Sequence, residues 1–436
     1  MRILVVGINY APDLIGVAKY NTELCEALVL QGHDVHMVTA PPYYPAWEVP
    51  HAHRSWQYRS ETINAVTVTR APIYVPGMPT GAKRLVHHAS FALSSAWPMI
   101  SKTLRWRPEL VFAVAPSLMS AALASFVARR VGASSWLHVQ DLEVDAAFEL
   151  GLLRNTRLRA AMVAIERRIL ISFDRVSTIS AQMVRSLHAK GVDASRLREL
   201  RNWIDSAALE RSDRMTRFRQ QLQLDESHLI GLYSGTMSNK QGLELIIEAA
   251  GQLHQLNPRI QLVLCGDGPH KARLEEKARG QGNIHFLGLQ PWERFGELLS
   301  TADFHLIPQR HEAADLVLPS KLAAIFASGR PVIAMAQPET GLAAEVEGAG
   351  LVVLPGDAAA FAGAMQTLAG DAGLRGRLGE TARQRCLDRW DKKAILAGLT
   401  HEIAEMQGRR DLAGTEADAA SECLPDAAPL ENQSAG

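Results

Sequence analysis

Along most of the chain, short β-branched and aliphatic runs alternate with stretches in which apolar residues recur at helical spacing. Apolar runs bounded by turn residues predict buried strands, and the helical stretches between them predict crossovers joining parallel strands. In the first half the predicted strands are Arg2–Val6, Asp34–Thr39, Val66–Arg70, Leu110–Val114, Ser135–Val139, Arg175–Ile179 and Leu197–Leu200. In the second they are Ile230–Ser234, Gln261–Cys265, Ile284–Leu287, Phe304–Ile307, Val332–Ala334 and Leu351–Val353. The pattern restarts after Ser206, where a charged helical stretch leads into a new apolar strand and a Gly turn. The expectation is two doubly wound, Rossmann-like α/β domains, 1–205 and 206–375. Residues 376–410 continue as helix, with Leu378, Ala382, Cys386, Trp390, Ile395, Leu399 and Ile403 spaced for one face. The tail 411–436 holds six acidic residues and no basic one among Ala, Pro and Ser, and is expected to be disordered.

Composition narrows the classes. A chain of 436 residues exceeds one ordinary core. Lys+Arg and Asp+Glu both number 46, which argues against nucleic acid as the main partner. The four cysteines show no zinc or disulfide spacing, so a reducing compartment is expected. The opening apolar run is too short for a signal peptide. The uncharged stretch Leu110–Ala128 is long enough to cross a bilayer, at roughly 20 residues. Its Pro116-Ser117 break makes it read instead as a strand, a turn and a helix.

Candidate chemistry sits at the strand ends. After the first strand, a loop containing Gly16 opens a helix, a place where backbone N–H groups can face an anion. Its spacing is not GxGxxG, which weakens a dinucleotide reading. Ser234-Gly235-Thr236 repeats the device, and Lys240 stands just before a helix, where the dipole disfavours a cation unless an anion binds. Gly266 and Gly268 would let a ligand approach the backbone, and Leu287 ends the next strand. The densest stretch runs from Arg310 through Glu312 and Asp315 to Leu318-Pro319-Ser320-Lys321, crowding charges at a helix start. In the first half His138 and Asp141 lie at the end of a strand, where ligands of open α/β sheets bind. A metal reading of Asp141, Glu143 and Asp145 needs a continuing strand, and the following Ala146-Ala147-Phe148 favours a helix. Tyr43, Tyr44 and Trp47 could stack on sugar faces or line an apolar surface. The segment 83–107 is an apolar helix with cations at both ends, suited either to an anionic membrane surface or to a core helix with snorkelling ends.

Several of these runs, in order, resemble one family. The opening Gly-Ile-Asn-Tyr-Ala-Pro, the Thr39–Trp47 run, His138–Asp145, Asn202-Trp203, Ser234–Glu244 and Leu318–Leu322 are similar to the retaining, GT-B-fold glycosyltransferase family 4, and within it to the colanic-acid type. The resemblance reaches to about residue 405. It implies a GT-B fold with the two domains facing across a cleft, 1–205 receiving the acceptor and 206–375 holding the donor, and 376–410 crossing back to the first domain. It further implies retention of anomeric configuration, no cofactor or essential metal, and work at the cytoplasmic face of the inner membrane on a lipid-linked exopolysaccharide precursor. GDP-fucose is the favoured donor, with GDP-mannose or a UDP-hexose behind it. The chain departs from the family pattern at Thr236, where Arg is usual, and Lys240 stands one place early. The family's paired glutamates fall at Leu316 and Ala324, so Glu312 or Asp315 would have to meet the ribose. Its His-Asp pair appears as Gln140-Asp141.

The expected site therefore has Lys240 and Lys321, with Arg310 as a third cation, gripping a diphosphate near Ser320. Gly16 closes from the other domain, and His138 and Asp141 face the transferred sugar or the acceptor. Two rivals share the architecture: a non-hydrolysing sugar-nucleotide epimerase, and a non-catalytic sugar-binding assembly protein.

Overall fold

A computed structural model describes residues 1–13, 16–54, 56–78, 81–142, 156–207, 209, 215–309 and 318–422, with backbone alone for 81–82, 156, 158, 240 and 409–422. Fourteen strands form two sheets. The first runs β3-β4-β2-β1-β5-β6-β7-β8, with β1 Arg2–Val6, β2 Asp34–Thr39, β3 Arg59–Ile63, β4 Val66–Arg70, β5 Leu110–Ala115, β6 Ser134–Val139, β7 Arg175–Thr178 and β8 Leu197–Glu199. The second runs β11-β10-β9-β12-β13-β14, with β9 Leu229–Ser234, β10 Ile260–Cys265, β11 Ile284–Leu287, β12 Phe304–Ile307, β13 Val332–Met335 and β14 Gly350–Val353. All pairings are parallel except β3 with β4. Central strands such as β5 and β10 are buried along their whole length, because helices cover both faces. Each predicted strand is present within one residue of its expected ends.

One strand was missed. In β3, Arg-Ser-Glu-Thr-Ile carries almost no apolar signal because it is an exposed edge strand. The hairpin to β4 turns on Asn64 and Ala65, at φ 47° and 64°. Two left-handed residues make the tight turn that suits paired strands, but Asn-Ala lacks the glycine that usually marks it.

Leu110–Ala128 divides into β5 and the helix Leu118–Val131, as predicted. Among the described residues no helix is long and apolar enough to cross a membrane. The first sheet is covered on one face by the helix Val17–Leu30 and by Leu396, Leu399 and Ile403 of the last helix. Its other face meets the helices Gly81–Trp106, Leu118–Val131, Thr156–Leu170 and Ala181–Ala189. The final helix spans Lys392–Glu422, so the expected unstructured tail does not begin at 411; residues 423–436 lie outside the described residues.

The chain crosses between the halves twice, and the crossings lie side by side. Ile204 N donates to Trp390 O at 2.8 Å, and Lys392 N donates to Ile204 O at 3.1 Å. Arg201 bonds Glu345 of the second half at 2.8 Å, and Glu23 of the first half accepts from both Trp203 Nε1 at 2.6 Å and Lys392 Nζ at 3.2 Å. Contacts across the remaining gap join segments that follow strand carboxyl ends. Lys19, just after β1, sits 4.8 Å from the Trp292 ring, which follows β11. Gly341, after β13, lies against Gln182, after β7. The two sheets thus point their carboxyl ends at each other across a cleft.

Candidate functional site

In an open parallel sheet, the crevice for a ligand opens where neighbouring strands send their connections to opposite sides. In the second sheet that point lies between β9 and β12, since the chain leaves β9 for β10 and β11 and then returns to the other side of β9. The loops meeting there are Gly235–Ser238 and the approach to the helix Lys321–Ala327. Lys321 reaches across from the second to the first. Its Nζ stands 4.0 Å from the centroid of the Tyr233 ring and 3.3 Å from where a Cβ on Gly235 would lie. The Tyr233 hydroxyl donates to Thr236 O at 2.7 Å, which holds the ring as a platform under the amine. Among the described residues Lys321 has no carboxylate partner. Part of the side chain touches solvent, yet the surrounding protein desolvates the amine and pulls its pKa down to about 7. Among the described residues an ammonium so placed has no anion beside it.

The backbone around it is held by a second loop. Gly235 N donates to Cys265 O at 3.0 Å, Met237 N to Asp267 O at 2.8 Å, and His270 N to Met237 O at 3.1 Å. This lashing is why Gly266 and Gly268 are glycines. A Cβ on Gly266 would lie 2.0 Å from Gly235 O, and one on Gly268 2.4 Å from Met237 O, and both residues have φ near +150°. The expected ligand approach over these two glycines is therefore corrected: their space is taken by the neighbouring loop. Leu287 is buried and contributes its carbonyl to Gly266 N at 3.0 Å. Ser234 is buried, Leu318 packs half-buried on the core, Pro319 O accepts from Leu322 N, and Ser320 is exposed just ahead of the short helix. Lys240 lies in the turn Asn239–Gln241, ahead of the helix Glu244–Leu256, and its side chain lies outside the description. Arg310, Glu312 and Asp315 lie outside the described residues.

The first sheet has its own reversal between β1 and β5. Gly16, at φ 62°, opens the helix Val17–Leu30, and among the described residues an added Cβ would meet the Tyr44 ring, at 3.7 Å. Tyr44 is exposed, and Trp47 is half-buried with the Arg84 guanidinium 5.3 Å from its ring. Tyr43 departs from the expectation of a sugar-stacking ring. It is buried in a small core with Ile8, Ala40 and Phe91, edge-on to Trp47 and His87.

His138 also departs from its expected role. It is buried, with both ring nitrogens engaged. Gln140 Nε2 donates to His138 Nε2 and to Asn202 Oδ1, each at 2.9 Å, and Asn202 Nδ2 donates back to Gln140 Oε1 at 2.9 Å. The His138 proton therefore resides on Nδ1, donating to Ser177 Oγ at 2.9 Å. Burial pulls its pKa down to about 4, so it stays neutral at physiological pH. It braces the strand end rather than facing a substrate. Asp141, one residue beyond Gln140, stays exposed, and desolvation by the protein around it raises its carboxyl pKa. Among the described residues no three His, Cys, Asp or Glu side chains gather as a metal site; Glu143 and Asp145 lie outside them. Sequence reasoning missed Tyr233, Lys19, Trp292 and Asn202 as parts of the site's frame. Asn202 had a local signal in the Asn202-Trp203 run, and Tyr233 stood at the head of the Ser234–Glu244 run.

Two facing Rossmann-like sheets with a cationic crevice at the reversal of the second define a GT-B enzyme architecture. Residues 16–203 match the glycosyl transferase 4-like domain, and residues 214–385 match the glycosyl transferases group 1 domain. The chain belongs to this glycosyltransferase family. It is 42% identical over 349 residues to the colanic acid biosynthesis glycosyl transferase WcaI of Escherichia coli K12, covering 78% of this chain and 85% of that one. It is 24% identical to glycogen synthase of Mycobacterium tuberculosis H37Rv, over 94% of this chain and 96% of that one. Among solved structures, sucrose-phosphate synthase from Thermosynechococcus elongatus shares the fold with TM-score 0.70 and 20% identity, over 94% and 100% of the two chains. Anabaena HepE in complex with UDP-glucose does so with TM-score 0.64 and 15% identity, over 93% and 100%. Family membership decides for a glycosyltransferase over the epimerase and the non-catalytic rival.

Proposed function

We propose that this glycosyltransferase moves a sugar, with retention, from a nucleotide-diphosphate donor to a lipid-linked exopolysaccharide precursor at the cytoplasmic face of the inner membrane. The observation that carries the donor half is the Lys321 amine, desolvated and without a described carboxylate partner at the sheet reversal. A diphosphate there balances the Lys321 ammonium, with Lys240 as a second cation and Arg310 as a third. As the bond from C1 to the β-phosphate oxygen breaks, the charge growing on the leaving diphosphate is stabilised by groups already in place. The acceptor oxygen bonds C1 from the same side, and its proton passes to the β-phosphate. Neither a cofactor nor a metal is required in this scheme. Asp141 contacts the transferred sugar or the acceptor, Glu312 or Asp315 meets the ribose, and Tyr44 and Trp47 border the acceptor.

GDP-fucose stays the favoured donor, as the family resemblance implied, while the UDP-glucose complex of HepE keeps a UDP-hexose in view. Thermal-shift titration with GDP-, UDP- and dTDP-sugars identifies the base, because the ligand that binds most tightly raises the melting temperature most. The reading expects a GDP-sugar to give the largest shift and Lys321→Met to abolish it. Equal shifts in Lys321→Met and wild type would remove the diphosphate from this crevice.

A further inference from the structure

The second half holds a cavity that lies away from the cleft. Its volume is about 190 Å³, and Asp303, Arg330, Pro331, Arg375 and Gly376 are among the residues lining it. Asp303 directly precedes β12 and Pro331 directly precedes β13, so the cavity sits at the amino ends of the strands, opposite the edge where Lys321 lies. Substrates of open α/β sheets bind at the carboxyl ends, so this cavity serves neither donor nor acceptor. Its walls are the turn after the helix Lys321–Ala327 and the first turns of the helix Ala372–Trp390. Gly379 brings that helix down onto the turn: a Cβ there would lie 2.3 Å from Gly329 O. Gly376 lies nearer the helix start, and among the described residues an added Cβ there would meet nothing within 4 Å, so its missing side chain keeps the space open.

The lining is cationic. Arg330 Nη2 donates to Ser300 O at 3.3 Å, and Arg375 Nη1 donates to Leu368 O and, at 3.1 Å, to Ala369 O. These carbonyl partners hold the guanidiniums in place without cancelling their charge. Among the described residues Asp303 is the one acid in the lining. It is committed to the fully buried Arg219, at 2.7 Å, and to Ile230 N, at 2.8 Å. The neighbouring Asp371 caps the helix Ala372–Trp390, accepting from Leu374 N at 2.8 Å. Two guanidinium forks in one small polar cavity suit the oxygens of a tetrahedral oxyanion.

We propose that this cavity binds a phosphoryl anion, as inorganic phosphate or as the phosphate of a small phosphorylated metabolite, and that its occupancy tightens the grip on the donor. The path between the two sites is short. Arg330 closely follows the helix that Lys321 opens. The helix that carries Arg375 meets that same element again, through Arg383 donating to Ala327 O and Cys386 Sγ donating to Ala323 O at 3.5 Å. Its last residue, Trp390, accepts from Ile204 N at 2.8 Å where the chain crosses between the halves. An anion shared by Arg330 and Arg375 therefore fixes the Lys321 helix against the helix that ends at the crossing. The two sites then bias each other reciprocally.

The test is a thermal-shift titration of the full chain with sodium phosphate and with a hexose phosphate, each against sodium chloride of equal ionic strength. Phosphate also suits the cleft amine, so K321M is titrated beside wild type. Saturable stabilisation should persist in K321M, and the tighter of the two ligands tells whether the free ion or the metabolite is the occupant. R330Q/R375Q should weaken phosphate binding at least about tenfold. G376L should do the same by filling the cavity with both arginines in place, and it puts a better helix former where a glycine stood, which guards against loss of fold. Both variants should keep the donor-sugar thermal shift in phosphate-free buffer. In saturating phosphate, wild type should bind the donor about fivefold more tightly than either variant. Phosphate stabilisation that vanishes in K321M, or that survives R330Q/R375Q, would overturn the site, and equal donor affinities in phosphate would overturn the coupling. An unchanged donor shift in K321M would instead count against the cleft reading and leave the anion site standing.

Discussion

The two halves build the same strand, glycine loop and helix, and use it in opposite ways. In the first half several polar groups of the described loop after β1 are met internally, while Asn9 Nδ2 and the Tyr10 hydroxyl are buried without a described hydrogen bond. Asn21 Nδ2 donates to Asn9 O at 2.8 Å, Asp13 accepts from Tyr43 N at 3.3 Å, and Arg70 reaches Ala11 O at 2.5 Å. What remains on its rim is shape: Gly16 beside Tyr44, and Trp47 under Arg84. In the second half, backbone bonds between two loops do the holding, and a side-chain amine is left without a described acid. The desolvated amine under the sheet reversal belongs to the second half, and the first half offers aromatic rings bordered by the charges of Arg84 and Asp141. An amine desolvated by its own fold destabilises that fold until an anion arrives, which suits binding machinery.

The contrast can be broken most directly at Lys321. Lys321→Met should lower transfer by about a thousandfold, read in a steady-state assay, since it removes a preorganised charge at the leaving group. The equivalent removal on the first-half rim, Tyr44→Ala, should change acceptor KM and leave donor affinity alone. Gly266→Ala tests whether the second loop is scaffold. With a Cβ 2.0 Å from Gly235 O it should destabilise the protein by about 3 kcal/mol, visible in denaturant unfolding, and impair donor binding in parallel.

A smaller effect concerns pH. Because the free amine has a pKa of about 7 and a bound diphosphate raises it, donor binding above pH 7 takes up a proton. Donor affinity should fall by up to about tenfold between pH 7 and pH 8, and calorimetry in buffers of different ionisation heat should detect the proton. The sign for folding is the reverse of a stabilising pair. The folded pKa lies below the unfolded one, so this group's penalty is fully present below pH 7 and fades as pH rises toward 10.5, the ordinary value for lysine. Lys321→Met should therefore raise the apo melting temperature at pH 6 more than at pH 9. The smallest change expected is at the brace of the first half. Asn202→Ala removes one partner of the Gln140 carboxamide and should destabilise by about 1 kcal/mol. It should also lower kcat while leaving donor affinity unaltered, if Asp141 is positioned through this chain.

Much of this was legible in the residue order. Buried strands are local events: Leu-Val-Phe-Ala-Val-Ala in β5 and Ile-Gln-Leu-Val-Leu-Cys in β10 announce themselves because both faces of the pleat are covered and every side chain must suit the interior. The restart after Ser206, the strand-to-helix loops and the family resemblance are likewise carried by neighbours in sequence. β3 was not legible, because its pairing with β4 is made by backbone groups and its side chains face water.

The site residues divide along the same line. That Lys321 opens a helix can be read from Pro319-Ser320-Lys321; that its amine lies on Tyr233, 88 positions away, and lacks a described acid depends on β9 and β12 becoming neighbours as the sheet reverses direction. Gly266 read alone promises room for a ligand, and only the lashing of its loop to Gly235 shows the room to be filled. His138 and Tyr43 carry side chains suited to chemistry and to sugar stacking, but burial decides what a side chain can touch, and burial is set by distant segments folding over it. Sequence alone determined the buried strands, their order and the class of enzyme. Tertiary structure decided which polar groups are spent within the protein and which are left for a substrate, because hydrogen-bond and charge partners are matched in space between residues far apart in the chain.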